Sequence, residues 1–167
     1  MSSPYVIGDL PGYTPQIARL IGMMTYVRET TISAVQGLTT AQLDHVQDEN
    51  ANSIGALLMH IAAVESAYQA STFGVPDDMQ RWQAALNLGT QARDEIRGHP
   101  LEHYLDTLRE VRERTLRELA KRDDKWLMAE SSFRRGQAAN NYFKWFHVFE
   151  DELNHRGQIR WLVKRLP

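Results

Sequence analysis

The chain contains no cysteine. This absence excludes a disulfide framework, a thiolate metal site and a cysteine nucleophile. Any bound metal must therefore take its ligands from imidazole, carboxylate or water. The sequence also lacks an apolar run approaching the ~20 residues of a transmembrane helix, and its N-terminus lacks the regions of a signal peptide. We therefore expect no membrane segment and a cytoplasmic location.

The sequence also lacks a large excess of either positive or negative side chains. Lys and Arg number 19 against 21 Asp and Glu, which gives a formal net charge of −2. No basic surplus exists to neutralise phosphates, so we expect no nucleic-acid partner. A chain of 167 residues, 43% of them hydrophobic, is suited to one domain over residues 1–167 that folds without a structural metal.

Apolar residues recur at helical spacing in long segments of the chain. The pattern predicts four helices, over residues 16–35, 54 to about 74, 101 to about 121, and about 140 to 166. No segment shows sustained two-residue alternation, so no β-sheet is predicted. The connection between the second and third helices is too long for a minimal hairpin. The predicted fold class is therefore all-α, a four-helix bundle with one long crossover connection.

The last predicted helix carries Asp151 and His155 four residues apart. At about 3.6 residues per turn, both lie nearly on one face, about 6 Å apart along the axis, where they can converge on one ion. His147 lies one turn earlier on the same stripe. The alternative is a plain surface pair, which is the commoner case. The run from Asp151 to His155 also resembles a zinc-protease motif with a changed ligand, but no third ligand follows at protease spacing.

His60 lies in the second predicted helix, next to Ile61 and close to Leu57 and Val64. These apolar neighbours predict that its ring is near the buried face. A neutral imidazole in that position needs a partner, which is either a core polar group or a metal ion. The residues alone leave both open, and the hydrogen-bonded core histidine is the more common of the two.

Two segments resemble the DinB-like family of metal-binding four-helix bundles. Residues 52–65 read N-S-I-G-A-L-L-M-H-I-A-A-V-E and are similar to the family's second helix, where a His follows a Leu-rich turn. Residues 146–159 read F-H-V-F-E-D-E-L-N-H-R-G-Q-I and are similar to its last helix, which usually carries H-x-x-x-H-R-G-Q. The resemblance extends over essentially the whole chain in helix order and length.

The resemblance implies a divalent-metal site made by His60, Asp151 and His155, with His147 as a reserve ligand. Most family members have His where this chain has Asp151, so a three-His set becomes two His and one carboxylate. Such a set can leave coordination positions open for water or substrate. The carboxylate shifts the preference toward Mn²⁺ or Fe²⁺, with Zn²⁺ and Ni²⁺ still acceptable. A weakened or lost site is the alternative explanation of the change.

Three residues follow His155 directly: Arg156, Gly157 and Gln158. A glycine inside a helix costs about 1 kcal/mol relative to Ala. Gly157 therefore indicates either a close approach of two backbones or space that must stay open near a site. Arg156 and Gln158 are candidates for contacts to the substrate or to the metal ligands, and solvent-facing side chains are the alternative.

The resemblance also implies a function. DinB-like relatives of known activity include metal-dependent thiol transferases, such as bacillithiol S-transferases, and mycothiol-dependent isomerases. It therefore implies an enzyme of S-transferase or hydrolase type that activates a thiol or water, with a small-molecule substrate and a low-molecular-weight thiol as cosubstrate. A non-catalytic metal-binding or stress-related interaction protein is the alternative. Relatives often pair, and Trp82 and Trp126, in predicted connectors, are candidates for a homodimer interface.

Overall fold

The computed structural model describes residues 5–76 and 79–167 of the chain. Its helices are α1 (Pro15–Val35), α2 (Thr40–Asp44), α3 (Ile54–Phe73), α4 (Met79–Asn87), α5 (Gly89–Glu95), α6 (Leu101–Leu119), α7 (Asp124–Met128) and α8 (Asn141–Val163). The four long helices α1, α3, α6 and α8 are those predicted from the apolar spacing, which confirms the all-α bundle. Within the described parts of the chain, no helix combines the length and the apolar character needed to cross a bilayer.

The prediction of no β-sheet is wrong for one short hairpin between α7 and α8. Strand β1 (Glu130–Ser132) pairs antiparallel with β2 (Ala138–Asn140), and a 3-10 turn (Arg134–Gly136) joins them. Strands of three residues are too short for two-residue alternation to be recognisable in a sequence.

Local sequence fixes where the two site-bearing helices begin. The Ser53 hydroxyl accepts a hydrogen bond from the Ala56 amide at 3.1 Å, which caps the first turn of α3. The Asn140 side chain accepts from the Phe143 amide at 2.8 Å and caps α8 in the same way. These caps set the helical register, and with it the face on which each later side chain lies.

Helices α3 and α6 pack side by side and run in the same direction. Gly55 meets Tyr104 near their starts, and Glu65 meets Arg112 further along both helices. Parallel neighbours need a connection that returns along the bundle. The segment between α3 and α6, which contains α4 and α5, makes this return and is the predicted crossover.

Helix α8 packs against both α1 and α3. It runs antiparallel to α3, because His60 meets His155 while Tyr68, two turns later on α3, meets His147 on the earlier part of α8. The facing surfaces of α3 and α8 therefore carry all the histidines that the sequence proposed as ligands.

The sequence analysis named Trp82 and Trp126 as candidates for a dimer interface, but neither lies on an open surface. Trp82 is only 2% exposed and belongs to the apolar core that α3, α6 and the crossover share. Trp126 is partly buried, and its ring stacks on Phe73 with centroids 5.4 Å apart. The amphipathic α4 turns Trp82 inward, which a connector without predicted helix boundaries could not show.

A buried cluster of charges joins all four long helices. Arg28 of α1 contacts Glu65 of α3 and Glu152 of α8, both at 2.9 Å. Arg112 of α6 contacts Glu65 at 2.8 Å and Glu152 at 3.5 Å. Two guanidinium and two carboxylate groups balance one another, as buried charges must. We call these four residues the core ion cluster.

Candidate metal centre

His60, Asp151 and His155 meet in the groove between α3 and α8. The Nε2 atom of His60 lies 3.6 Å from Oδ2 of Asp151, and the Nε2 atom of His155 lies 3.6 Å from Oδ1 of the same carboxylate. One ligand atom from each residue lies within 4.8 Å of the other two. The structure thus brings together the three residues that the sequence proposed as ligands.

Hydrogen bonds to the outer ring nitrogens orient both imidazoles. Nδ1 of His60 lies 2.8 Å from the Ala85 carbonyl oxygen, and Nδ1 of His155 lies 2.9 Å from Oε1 of Gln158. Since both oxygens only accept, each Nδ1 carries the hydrogen and donates it. The Nε2 atom of each ring then faces Asp151, where it attracts the carboxylate when the ring is protonated and offers a lone pair to a cation when the ring is neutral. Metal-binding histidines are held in this way by a partner on the other nitrogen.

Asp151 is ionised between these rings. Burial alone would raise the pKa of its carboxyl, but the neighbouring imidazoles of His155 and His60 outweigh burial and hold that pKa well below its usual range. Its Oδ2 atom is buried and has no hydrogen-bond partner in the described residues. An unsatisfied buried carboxylate oxygen is costly.

A divalent cation fits this donor set. Two imidazole nitrogens and a carboxylate oxygen are ligands for Zn²⁺, Ni²⁺, Mn²⁺ and Fe²⁺. Ligand atoms about 2.1 Å from one ion lie at most about 4.2 Å apart. The two His–Asp separations of 3.6 Å meet this limit, and all three ligand atoms lie within 4.8 Å of one another, so a small adjustment of the rings would bring the set onto one ion. A cation would also satisfy Oδ2 of Asp151, which makes no hydrogen bond to the described residues. The side chains of the three residues are 12–22% exposed, so small molecules can reach them.

His147 has other partners. Its Nδ1 lies 3.0 Å from Oε2 of Glu150, and its Nε2 lies 3.0 Å from a guanidinium nitrogen of Arg134. The ring also stacks on Phe143. Both ring nitrogens are engaged, so the structure does not bring this reserve ligand into the group of three.

The residues after His155 divide between two sides of α8. Arg156 donates a hydrogen bond to Thr30 on α1, so its guanidinium points toward the neighbouring helix α1. Gln158 contacts His155 directly and supports a proposed ligand. Among the described residues, no atom of a neighbouring element lies within 4 Å of the position that a Cβ on Gly157 would take. The glycine at this position therefore agrees with open space beside the helix and not with a close approach of two backbones.

A cavity of about 500 Å³ adjoins the three residues at Gln158. Its wall consists of neutral side chains from the segment before α3, from α3 and from α8: Asn50, Ala51, Asn52, Leu57, Asn154, Gly157, Gln158, Trp161 and Leu162. Of the two candidate contact residues that the sequence analysis named, Gln158 lies in this wall and Arg156 does not. The sequence analysis did not single out the asparagines or Trp161, although 154, 157, 158 and 161 share one helical face.

The sequence analysis also missed the core ion cluster. The pKa of Glu65 is lowered to about 2, because the charges of Arg112 and Arg28 outweigh the burial that alone would raise it. Arg28 and Glu152 pair at 2.9 Å in the same cluster. Each long helix has a charged residue on its apolar face, and this feature could have indicated buried charges. The sequence of one helix, however, does not predict which charge on another helix is the partner.

Comparisons with known proteins bear on the family and the fold of the chain. Residues 19–165 match the sequence model of a family described as mycothiol-S-transferase. A conserved protein from Enterococcus faecalis superposes with a TM-score of 0.74 at 12% identity, covering 88% of this chain and 94% of that chain. A DinB-like protein from Bacillus cereus superposes with a TM-score of 0.68 at 19% identity, covering 88% and 90%.

At these identities the two structures show a shared fold and nothing further. A comparison with curated protein sequences gave no significant match. The family match covers nearly the whole length of the bundle, from the first turns of α1 to the residues after α8. The chain therefore belongs to the mycothiol-S-transferase family, with the DinB-like bundle fold.

Proposed function

We propose that the chain is a divalent-metal-dependent S-transferase that joins a low-molecular-weight thiol, mycothiol or a close analogue, to an electrophilic small molecule. One observation carries the proposal. Two imidazoles present their Nε2 atoms to a carboxylate whose buried Oδ2 has no hydrogen-bond partner among the described residues, in a chain of a thiol-transferase family. A donor set of this kind is suited to a divalent ion with coordination positions left open.

The proposal gives each residue a task. His60, Asp151 and His155 would hold the ion, and the Ala85 carbonyl and Gln158 would fix the orientation of the two rings. A bound divalent ion supplies Lewis acidity, which lowers the pKa of a thiol or water toward neutrality. Because the chain has no cysteine, the sulfur must arrive with the cosubstrate.

The proposal is tested by reconstitution. Protein stripped of metal is loaded in turn with Zn²⁺, Ni²⁺, Mn²⁺ or Fe²⁺, and conjugation of mycothiol to a chromogenic aryl halide is followed. Activity that requires metal and is lost in Asp151→Asn is the expected result. His147→Gln is the matched control, because His147 is another partly buried residue of α8 but does not belong to the group of three.

Two results would replace the proposal by its alternatives. Metal-dependent ester or amide hydrolysis without thiol transfer would make the protein a hydrolase that activates water at the same residues. Metal binding without turnover of either kind would leave a non-catalytic metal-binding protein.

The proposal extends to assembly and location. We place the enzyme in the cytoplasm, where low-molecular-weight thiols are kept reduced, and we propose a homodimer. Trp82 cannot contribute to its interface because it lies in the core. Tyr26 of α1 and Phe143 and Phe146 of α8 are 38–45% exposed and are better candidates. Light scattering at micromolar concentration should give twice the 19.2 kDa of the chain, and a monomer would remove the dimer from the proposal.

A further inference from the structure

The hairpin between α7 and α8 encloses a second cavity, which we call the hairpin cavity. Phe133 of the hairpin faces Tyr68 of α3, with ring centroids 6.5 Å apart, and Ser131 of β1 contacts Lys144 of α8. About 330 Å³ of space lies among these residues. This cavity shares no lining residue with the one at Gln158. It is therefore a separate candidate site.

Lys144 is a buried charge that no carboxylate of the described residues balances. The residue is only 5% exposed. The other charged residues that the described chain buries all belong to the core ion cluster, where they neutralise one another. A buried ammonium group without a paired negative charge is costly. The hairpin cavity is the space into which a compensating group could enter, because Lys144 forms part of its wall.

The position of Lys144 in α8 adds to this cost. It is the fourth residue of the helix Asn141–Val163. The N-terminus of a helix carries a partial positive charge, so a cation in the first turn is disfavoured. An ammonium group has three hydrogens to donate. Within residues 5–76 and 79–167 it donates to one partner, Oγ of Ser131. Two donors thus remain for a ligand.

Hydroxyl groups supply further donors. Since Oγ of Ser131 accepts from Lys144, its own hydrogen is free to be donated. Ser132 and Tyr68 also line the cavity. Burial raises the pKa of Tyr68, so its phenol stays protonated at neutral pH and can donate. No acidic side chain belongs to the wall of the cavity. This chemistry favours an anion.

The charge and shape of the hairpin cavity indicate which anion fits. A single ammonium group balances a single negative charge, which suits a carboxylate better than a doubly charged phosphate. The rings of Tyr68 and Phe133 offer apolar surface beside the charge. A volume of about 330 Å³ lies within the usual range of small-molecule sites. The expected ligand is a small carboxylic acid with an apolar or aromatic body.

The hairpin cavity and the metal centre lie along the same groove. Lys144 and Asp151 are seven residues apart on α8, and so are Ala67 and His60 on α3. Seven residues are nearly two full turns, so each pair shares one face of its helix and is separated by about 10 Å along the axis. A molecule held at Lys144 by one end can therefore extend along the groove toward the residues that would hold the ion.

We propose that the hairpin cavity binds the carboxylate of the electrophilic substrate through Lys144 and Ser131, and so directs the reactive carbon toward the metal centre. The identity of the ligand as the electrophile rests on the proposed function, whereas binding of a carboxylate at Lys144 does not. The inference names the substrate class as acidic electrophiles.

The first test measures carboxylate binding in metal-free protein, because a bound metal ion would itself attract anions. Protein labelled with ¹⁵N is titrated at neutral pH with phenylacetate, with its neutral counterpart phenylacetamide and with inorganic phosphate. The backbone amide resonances of Ser131 and Ser132 are followed. We expect a saturable shift with phenylacetate and none with phenylacetamide. Failure of phenylacetate, equal binding of phenylacetamide, or tighter binding of phosphate would each overturn the inference.

Lys144→Met removes the ammonium group and keeps an unbranched side chain. It should fold, because it replaces an uncompensated buried charge by an apolar group. We expect the phenylacetate shift to be lost. Lys125→Met makes the same change at an exposed position of α7 outside the cavity wall and should keep the shift.

Ser131→Ala provides a second variant at an exposed strand position. It removes one hydrogen bond to the carboxylate and should weaken binding by about tenfold. Unchanged binding in both Lys144→Met and Ser131→Ala would overturn the inference.

The second test uses the metal-loaded enzyme with mycothiol as the thiol. The electrophiles are an aryl halide joined through a β-alanine spacer to a carboxylate, and the corresponding primary amide. We expect kcat/KM to be about tenfold or more higher for the acid than for the amide. Lys144→Met should remove this preference through a higher KM for the acid, and Lys125→Met should keep it.

The outcomes separate this inference from the proposed function. Phenylacetate binding that Lys144→Met removes, in a protein without thiol transfer under any metal, would support the carboxylate site and overturn the proposed function. Thiol transfer with equal kcat/KM for the acid and the amide would overturn the assignment of the electrophile to the hairpin cavity and leave the proposed function intact.

Discussion

Glu65 and Arg112 meet 2.8 Å apart inside the bundle, on parallel helices whose side chains are almost fully buried at this point. Thr115 also donates to Glu65 at 2.6 Å, and Arg28 contacts it from the opposite helix. A carboxylate with these partners is stabilised only as the charged form. The free energy of unfolding of the bundle should therefore decrease at acidic pH.

The expected pH dependence follows from the pKa of Glu65. That pKa is about 2 in the folded chain, against an ordinary value of 4.5 for a glutamate side chain. The contribution of Glu65 is therefore complete above pH 4.5 and is lost as the pH falls toward 2. Urea unfolding across this range should show a steeper loss of stability for the wild type than for Glu65→Gln. Equal slopes for the two proteins would contradict this account.

Glu65→Gln should also destabilise the protein at neutral pH. It leaves Arg28 and Arg112 with one carboxylate between them, and breaking a buried ion pair typically costs about 3–5 kcal/mol. The matched control is Glu113→Gln, whose side chain is 57% exposed beside Arg117. An exposed pair contributes less than about 1 kcal/mol. Chemical denaturation checks both, and similar losses for the two variants would refute the role of the core ion cluster.

Two glycines in site-bearing helices should respond to alanine in opposite directions. A Cβ on Gly55 would lie 2.6 Å from the hydroxyl oxygen of Tyr104, whose ring is fully buried. Gly55→Ala should therefore destabilise by about 1–3 kcal/mol through overpacking. The Cβ of Gly157→Ala meets no atom of the described neighbouring elements within 4 Å, so this variant should be stabilised by up to about 1 kcal/mol. Thermal unfolding compares them, and a shift of the same sign in both would be contrary to this prediction.

Much of the bundle was predictable because its long helices carry local information. Apolar spacing located α1, α3, α6 and α8, and the residue types at Ser53 and Asn140 mark where α3 and α8 begin. The crossover also followed from length alone, since a long connection between successive helices permits a parallel pair. In each case the determining residues are close together in the sequence.

The features that escaped prediction depend on contacts across helices. Arg28 and Glu152 are 124 positions apart, and neither position indicates its partner. Trp82 seemed available for an interface until the packing of α4 on α3 enclosed it. For the metal centre, resemblance supplied the grouping of His60 with α8, and the structure supplied the orientation of both rings through Ala85 and Gln158.

His155→Ala should remove most of the bound metal, because two remaining ligands rarely hold an ion. His147→Ala should retain it, since both nitrogens of that ring contact Arg134 and Glu150. Unfolding of metal-free His155→Ala should remain cooperative, because the apolar core does not depend on the ion. Elemental analysis after gel filtration measures the occupancy. Full occupancy in His155→Ala, or loss in His147→Ala, would mean that the ligands are wrongly assigned.

Asp151 should set which metal the centre prefers. Its carboxylate is the one hard oxygen ligand beside two imidazoles. Hard oxygen ligands favour Mn²⁺ and Fe²⁺ more strongly than imidazole nitrogens do. Asp151→His would create a three-imidazole set and should raise the ratio of the Mn²⁺ to the Zn²⁺ dissociation constant by about tenfold or more. Asp151→Asn keeps the size of the side chain but removes its charge, so it should weaken both metals.

Competition titrations with a chelating dye, run on metal-free wild type and the two variants, give these dissociation constants. In our account the carboxylate is a direct ligand, because Oδ2 of Asp151 has no hydrogen-bond partner in the described part of the chain and both histidine nitrogens lie 3.6 Å from the carboxylate. If Asp151→Asn bound both metals as tightly as the wild type, the carboxylate could not be a ligand. The two histidines would then need a third partner from elsewhere in the groove between α3 and α8.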